Sequence, residues 1–488
     1  MVSDSLDHDR SASDRAVGHG LPPSTRRVHF VGVGGVGMSG VAEMMTELGY
    51  QVSGSDQFGS PTTARLRDLG VAIKTGHDAR WVGEADAVIV SAAVPGDNPE
   101  LTEAHRRQLP VIQRGAMLAR LARSRSTVAI TGTHGKSTTS SMIAVLLADC
   151  GLDPSVVVGA KIKAFGSNIR SGNGPHFVLE ADESEPSLLE LTPRIAVVTN
   201  LEAEHLDHYG TFAALQDTMV SFANRVVDAG VVVVCADDPE MVRLRSRITG
   251  RVMTYGLENR SADVIGYEPV FKSCSSGCLL KWRHKEHLEP FAFEVGVPGR
   301  HNLLNGMAAF ATAMELGLDP NLAAASIQKF TGVERRFHFL GAVGGVSVID
   351  DYGHHPTEID VVLSTARNQP HQRLVAVFQP HRYTRTARFF AEFARVLSTA
   401  DIVILTDIFA AGEPPIPGIT SESLAMEIRL RRASVHYVAK LEDVVSTLAG
   451  MVGSGDLVVT LGAGSIGTVG TRVLEALRQS KGRVGIES

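Results

Sequence analysis

The stretch TVAITGTHGKSTTSSMIAVLLADC, residues 127–150, decides the class of fold. Its first five residues read as a short buried strand, and its last ten as an apolar helical run. Between them lies Gly132-Thr133-His134-Gly135-Lys136-Ser137-Thr138. A strand that turns through glycines into a helix offers backbone N–H groups and a positive helix end to an anion. Lys136 adds a full charge for terminal phosphates, and the Ser137 hydroxyl suits Mg2+. Ile130 stands where strict P-loop spacing has its first glycine, so the loop is a variant.

Outward from this loop, short β-rich runs alternate with amphipathic helical stretches, which predicts parallel α/β domains. Downstream, HFVLEA (176–181) is followed by Asp182, Glu183 and Glu185. RIAVVT (194–199) is followed by Asn200, Glu202, Glu204, His205 and Asp207. In an open α/β sheet ligands bind beyond the carboxyl ends of strands. Glu180 and its neighbours there fit a hard cation bridging phosphates, and His205 offers nitrogen to a second metal. Residues 263–295 read as an antiparallel insert or sheet edge, and a helix is expected from Asn302.

Upstream, VHFVGV (28–33) leads into Gly32-Val33-Gly34-Gly35-Val36-Gly37. Here the glycines let backbone approach a diphosphate. Ser55 and Asp56 after the second strand, with Asp56 where a ribose carboxylate sits, and Ser91 after the fourth complete the expected lining. The domain is short for a two-halved dinucleotide fold, so a UDP-sugar fits better than NAD. A similar run, Gly462-Ala463-Gly464-Ser465-Ile466-Gly467, shows how easily this pattern recurs.

Beyond Arg335 two strand ends carry polar clusters. VSVID is followed by Asp351, Tyr352, Gly353, His354, His355 and Pro356. LVAVF is followed by Gln379, Pro380, His381, Arg382, Tyr383, Thr384 and Arg385. Arg382 and Arg385 can present guanidinium forks to a carboxylate or phosphate.

The 488 residues predict about three domains at roughly 150 residues each. Apolar residues make up 44% and charged residues 20%, which excludes a disordered or collagen-like chain. A net charge of -6 argues against a nucleic-acid partner. Four cysteines read as reduced thiols of a cytoplasmic protein. No apolar run is long enough to span a membrane. The expected division is a disordered leader (1–25), a nucleotide-sugar domain (26–124), an ATP-binding domain (125–334) and a C-terminal domain (335–488).

Taken together, GTHGKST, EADESEPSLLEL, VVTNLEAEHLDHYG, GRHNLLNGMAA, GVERRF, DDYGHHPTEI and FQPHRYTRT, in this order, resemble the Mur ligase family. The resemblance runs from about Val28 to the end. It implies a Rossmann-like N-terminal domain, a central P-loop ATPase domain with a mixed sheet, and a C-terminal Rossmann-like domain. The opening GVGGVGMSGVAEMM and the DDYGHHPTEI block point to the branch that joins L-alanine to UDP-N-acetylmuramate. That reaction uses ATP and Mg2+ in peptidoglycan precursor synthesis. The alternative is a murein-peptide ligase attaching a recycled tripeptide to the same sugar.

The resemblance also implies roles. Lys136 holds the β- and γ-phosphates, Ser137 and Glu180 ligate Mg2+, and His205 with Glu180 serves a second ion. Asn302 and Asn305 contact adenine, and Arg336 reaches ATP. Tyr352, His354, Arg382 and Arg385 hold the amino acid, with His354 a candidate for accepting the amine proton. The partners implied are small molecules, with the protein a monomer or homodimer. Several family members carry a carbamylated lysine near the metals; this chain has no lysine between Lys163 and Lys272.

Overall fold

The computed structural model of the protein describes residues 21–22, 24–91, 93–284, 289–431 and 434–484. Residues 1–20 and 23 of the expected leader, and the side chain of Val36, lie outside the description. The expected α/β architecture is present as three sheets.

In the first sheet, β1 (Arg27–Val31), β2 (Gln51–Asp56), β3 (Ala72–Thr75), β4 (Ala87–Val90) and β5 (Val111–Gln113) lie in the order β3-β2-β1-β4-β5. Every pairing is parallel. β4 is buried throughout, as the apolar run AVIV requires of a strand covered on both faces. The strand order reverses between β1 and β4. The carboxyl ends of these two strands therefore form the switch-point crevice where such sheets take ligands, and Gly32–Gly37 and Ser91 lie there.

The second sheet holds β6 (Ser126–Thr131), β7 (Ser155–Ile162), β8 (Ser167–Arg170), β9 (His176–Glu180), β10 (Ile195–Val198), β11 (Val231–Cys235), β12 (Val252–Gly256), β13 (Val264–Phe271), β14 (Ser276–Trp282) and β15 (Phe291–Val295). Its order is β15-β14-β13-β12-β11-β10-β6-β9-β7-β8. β6 lies parallel between β10 and β9, while β7 and β8 are antiparallel, so the sheet is mixed. β13, β14 and β15, within the expected 263–295, form its edge, although β13 joins β12 in parallel. The helix expected from Asn302 begins at Arg300.

In the third sheet, β16 (His338–Val343), β17 (Val346–Asp351), β18 (Arg373–Phe378), β19 (Ile402–Leu405), β20 (Ser434–Tyr437) and β21 (Asp456–Leu461) lie in the order β16-β17-β21-β18-β19-β20. Only the β16–β17 pairing is antiparallel. Its two-residue turn needs positive φ twice, and Gly344 (φ 63°) with Gly345 (φ 83°) supplies it. Apolar layers cover both faces. Phe378, Phe393 and Leu397 lie on one side, and Val377, Val444 and Leu474 on the other. Full burial of each such side chain contributes about 1.5–3 kcal/mol.

The chain forms two compact units. Among the described residues, one falls within Met1–Gly266, Leu280–Pro290 and Leu304–Ile327, and the other within Tyr267–Leu279, Phe291–Leu303 and Gln328–Ser488. Among the described residues no helix is long and apolar enough to cross a membrane.

Candidate active site

In the first unit the loop after β6 is shaped by its glycines and tied to the end of β10. Gly132 has φ 125°, and a Cβ there would fall 2.3 Å from Thr199 Oγ1. Gly135, at φ 82°, starts the helix Lys136–Asp149. The Thr133 N–H donates to Asn200 O (3.1 Å), and the His134 N–H to Asn200 Oδ1 (2.8 Å). Thr199 Oγ1 and Asn200 Nδ2 both donate to His134 O, at 2.6 and 2.9 Å. The loop is thus preorganised by a polar pair that its own sequence does not reveal.

Lys136 Nζ donates to Gly132 O (2.7 Å), Thr133 O (3.1 Å) and Glu183 Oε1 (3.0 Å). Burial by itself would lower its pKa, but the Glu183 charge reverses this and the net shift is upward. Lys136 therefore stays an ammonium. Ser137 Oγ donates to Glu180 Oε1 (2.9 Å), and the Gly159 N–H donates to Glu180 Oε2 (2.6 Å). His205, in the left-handed region at φ 52°, directs Nε2 toward Glu183 Oε1 at 3.4 Å. The hydrogen bond to Glu183 raises its pKa. Asp182 is held below the usual range: burial opposes its charge, but Lys136 and the Ser184 N–H outweigh that.

Ligand atoms of Asp182, Glu183 and His205 lie within 4.8 Å of one another. With Ser137 and Glu180 beside the phosphate loop, this oxygen-rich donor set fits a hard divalent cation. His205 lies against Glu183, which was not among the residues expected to hold metal. No lysine follows in the sequence until Lys272, so the fixed negative charge here comes from carboxylates.

The glycine loop after β1 lies in the same unit. Gly34 N–H donates to Asp56 Oδ2 (2.7 Å), so Asp56 braces the loop. Ser55 is fully buried and donates to Glu100 Oε2 (2.8 Å), inside a network that also holds His29 and His77. Ser91 faces Gly32 closely: a Cβ on Gly32 would lie 3.3 Å from that of Ser91. Arg114, which opens the helix after β5, lies across Gly37, whose Cβ would fall 2.3 Å from Nη1. Its guanidinium pairs with Glu185, and burial lowers its pKa. A cleft of about 250 Å3 is lined by Gly37 and Arg114 together with Gly159, Glu180, Asp182 and Glu185. Arg114 was not among the expected site residues; its signal was a lone Arg at the end of a short strand.

Asn305 Oδ1 sits 2.7 Å from where a Gly135 Cβ would be, which places it at the phosphate loop. Asn302 Nδ2 donates to Pro298 O (2.7 Å).

The second unit holds a separate cluster at the ends of β17, β21 and β18. Asp351 accepts from the Phe337 and Gly353 N–H groups, each at 2.6 Å. Burial pushes its pKa up to about 6. Arg335 is structural: it bridges Asp350 Oδ2 (2.9 Å) and Gly462 O (2.7 Å). Arg336 pairs with Glu358 at 3.3 Å and lies over the Tyr352 ring at 5.4 Å. Gly462–Gly467, which resembled a chance recurrence, sits at the end of β21, and its Ile466 N–H donates to Gln379 Oε1 (3.1 Å).

The two imidazoles here are in opposite tautomers. His354 Nδ1 lies 3.1 Å from Tyr352 O, a pure acceptor, so Nδ1 carries the hydrogen and Nε2 the lone pair. His381 Nδ1 lies 3.2 Å from Arg385 Nη1, a pure donor, so Nδ1 is the acceptor. Both are neutral near pH 7. Burial lowers His354 to about 4, and burial with the Arg385 charge lowers His381 to about 4. Arg382, at φ 69°, has Nε 3.6 Å from Glu413. The structure therefore gathers Tyr352, His354, Arg382 and Arg385, as expected, and adds His381, Gln379 and Glu413.

Comparison with known proteins fits this division. The family described as "Mur ligase family, catalytic domain" matches residues 27–126, "Mur ligase middle domain" matches 130–313, and "Mur ligase, glutamate ligase domain" matches 335–464. UDP-N-acetylmuramate–L-alanine ligase of Anaeromyxobacter dehalogenans (strain 2CP-C) is 47% identical over 453 residues, covering 93% of this chain and 98% of its own. The ligase of that name from Trichlorobacter lovleyi is 45% identical, covering 92% and 99%. Among solved structures, UDP-N-acetylmuramate-alanine ligase from Thermotoga maritima superposes with a TM-score of 0.79 at 29% identity, covering 93% and 99%. A murein peptide ligase from Psychrobacter arcticus shares the fold, with a TM-score of 0.68 at 22% identity over 93% and 98%. Three matched segments in order, near-complete coverage by relatives, and a phosphate loop with its acidic rim lead to one assignment: the chain belongs to the Mur ligase family.

Proposed function

We propose that the protein is an ATP-dependent ligase that joins L-alanine to UDP-N-acetylmuramate, an early step of peptidoglycan precursor synthesis. The observation that carries this reading is the cleft shared by Gly37 and Arg114, from the nucleotide-sugar side, and Glu180 and Asp182, from the phosphate-loop side. It suits a sugar carboxylate set beside a terminal phosphate.

A carboxylate is a poor acylating agent, so its oxygen attacks the γ-phosphorus, ADP leaves and an acyl phosphate forms. Lys136 and the loop N–H groups hold and neutralise the phosphates, which is most of what such a step requires. Asn302 and Asn305 hold adenine, and Arg336 contributes charge toward ATP. Gly32, Gly34, Gly35, Val36 and Gly37 cradle the UDP diphosphate, with Ser55, Asp56 and Ser91 around them. Ser137, Glu180 and His205, joined by Asp182 and Glu183, would hold magnesium. When bound, that ion offsets the negative charge of the phosphate oxygens. Tyr352, Arg382 and Arg385 hold alanine by its carboxylate. The neutral His354 accepts a proton from the alanine ammonium at Nε2, and the freed amine attacks the acyl carbon and expels phosphate.

Domain limits of 26–124, 125–334 and 335–488 follow from this assignment of tasks. The cytoplasm is the proposed compartment, with small molecules as partners and a monomer or homodimer as the working form. Product analysis tests the reading: ATP, Mg2+, UDP-N-acetylmuramate and a mixture of alanine, glycine, serine and tripeptide. Alanine adduct with stoichiometric ADP is expected; a tripeptide adduct in its place would make the protein a murein-peptide ligase.

A further inference from the structure

The segment after β19 returns to the loop after β18 and is fastened to it. The Phe409 N–H donates to Pro380 O, and the Arg382 N–H donates to Phe409 O, both at 2.8 Å. Further along, Glu413 accepts from the Thr384 N–H (3.0 Å) and from Thr384 Oγ1 (2.8 Å). The Phe409 ring lies flat on His381, with centroids 5.4 Å apart and planes at 12°. It also rests on the glycine loop: a Cβ on Gly464 would come within 3.0 Å of Phe409 Cγ. The ring is thus fixed through its backbone, by a stack and from below, yet 39% of the residue stays exposed.

An exposed phenylalanine by itself is ordinary. Its place distinguishes it. Tyr352, His354, His381 and Phe409 form a row with successive centroids at 5.4, 5.9 and 5.4 Å. Arg385 reaches this row at His381. A small amino acid whose carboxylate docked on Arg385 would have its α-carbon beside the His381 ring. In the row, His354 lies on one side of His381 and Phe409 on the other.

We propose that Phe409 is the specificity-determining wall of the amino-acid pocket, meeting the methyl of alanine and excluding longer side chains. This rests on the reading of Tyr352, His354, Arg382 and Arg385 as the amino-acid clamp. Contact with a methyl favours alanine over glycine. A ring held by Pro380, Arg382, His381 and Gly464 cannot move aside for valine.

The test is the kcat/KM of Phe409→Ala and Phe409→Leu with alanine, glycine, 2-aminobutyrate and valine. Expected in Phe409→Ala is a fall of about tenfold in both the alanine-to-glycine and the valine-excluding ratios. Phe409→Leu should restore the first ratio in part, and the KM values for ATP and UDP-sugar should stay as in the wild type. Both ratios within twofold of wild type in both variants would overturn the proposal, whatever the absolute rates. Arg385→Ala separates this from the reading beneath it: an unchanged KM for alanine there would sink the clamp itself.

Discussion

Lys136 shows what a single side chain can reveal and what it cannot. Its role was legible because strand, glycine turn and lysine are contiguous. Its partner Glu183 was visible only as one of three acids after HFVLEA, because the choice among them is made by the packing of β9 against β6. Thr199 and Arg114 escaped for the same reason: each acts on a loop distant in sequence. Lys136→Ala is expected to lower ADP release by about 10²–10³-fold, since it removes a preorganised charge at the transferring phosphate. Steady-state ADP assays check this. His354→Asn keeps a donor toward Tyr352 O but removes the Nε2 lone pair. Acyl phosphate should still form, trappable by hydroxylamine, while amide formation falls by about 10²-fold or more. Equal loss of both steps would assign His354 to positioning alone.

Among the elements, the buried parallel strands β1, β4, β6, β10, β18 and β21 were readable because both faces are covered and the runs are continuously apolar. β7, β8, β12 and β16 were not. The apolar run of β7, Val156–Val158, is only three residues long before Gly159 and Lys161 break it, β8 reads Ser-Asn-Ile-Arg, and β16 has no fully buried residue. The phosphate loop gives the sharpest prediction at this scale. Gly132→Ala would place a methyl against Thr199 Oγ1 in a left-handed conformation that alanine avoids. ATP affinity should fall by at least about tenfold, as a methyl-sized displacement of several loop N–H groups implies. Isothermal titration with ATP reads this directly, and unchanged affinity would show that the loop relaxes freely.

At the scale of the molecule, the order of three sheets followed from the order of motifs, but the entry of β21 between β17 and β18 did not. Nothing local marks a last strand as central. That insertion is what brings Gly462–Gly467 beside Gln379. The second unit also sets a pH response. His354 and His381 titrate near 4 when folded, against an ordinary value of 6.5, so the unfolded chain binds more protons between these limits. The stability they contribute is present above pH 6.5 and is lost as pH falls toward 4. Asp351 acts oppositely: its pKa of about 6 exceeds 3.8, so its contribution is lost as pH rises through 6. His301, buried in the same unit, is likewise lowered to about 4, so with three imidazoles against one carboxyl the melting temperature should fall on acidification from 6.5. His381→Gln should flatten that slope in differential scanning calorimetry, and an unaltered slope would refute the assignment.

The absence of any lysine between Lys163 and Lys272 has a further consequence. A carbamylated lysine takes its charge from dissolved carbon dioxide and loses it when the gas is removed. Here Glu180, Asp182 and Glu183 carry their charge by translation alone. Turnover in degassed, bicarbonate-free buffer should therefore equal turnover in air, so the enzyme's rate is uncoupled from the gas balance of its surroundings.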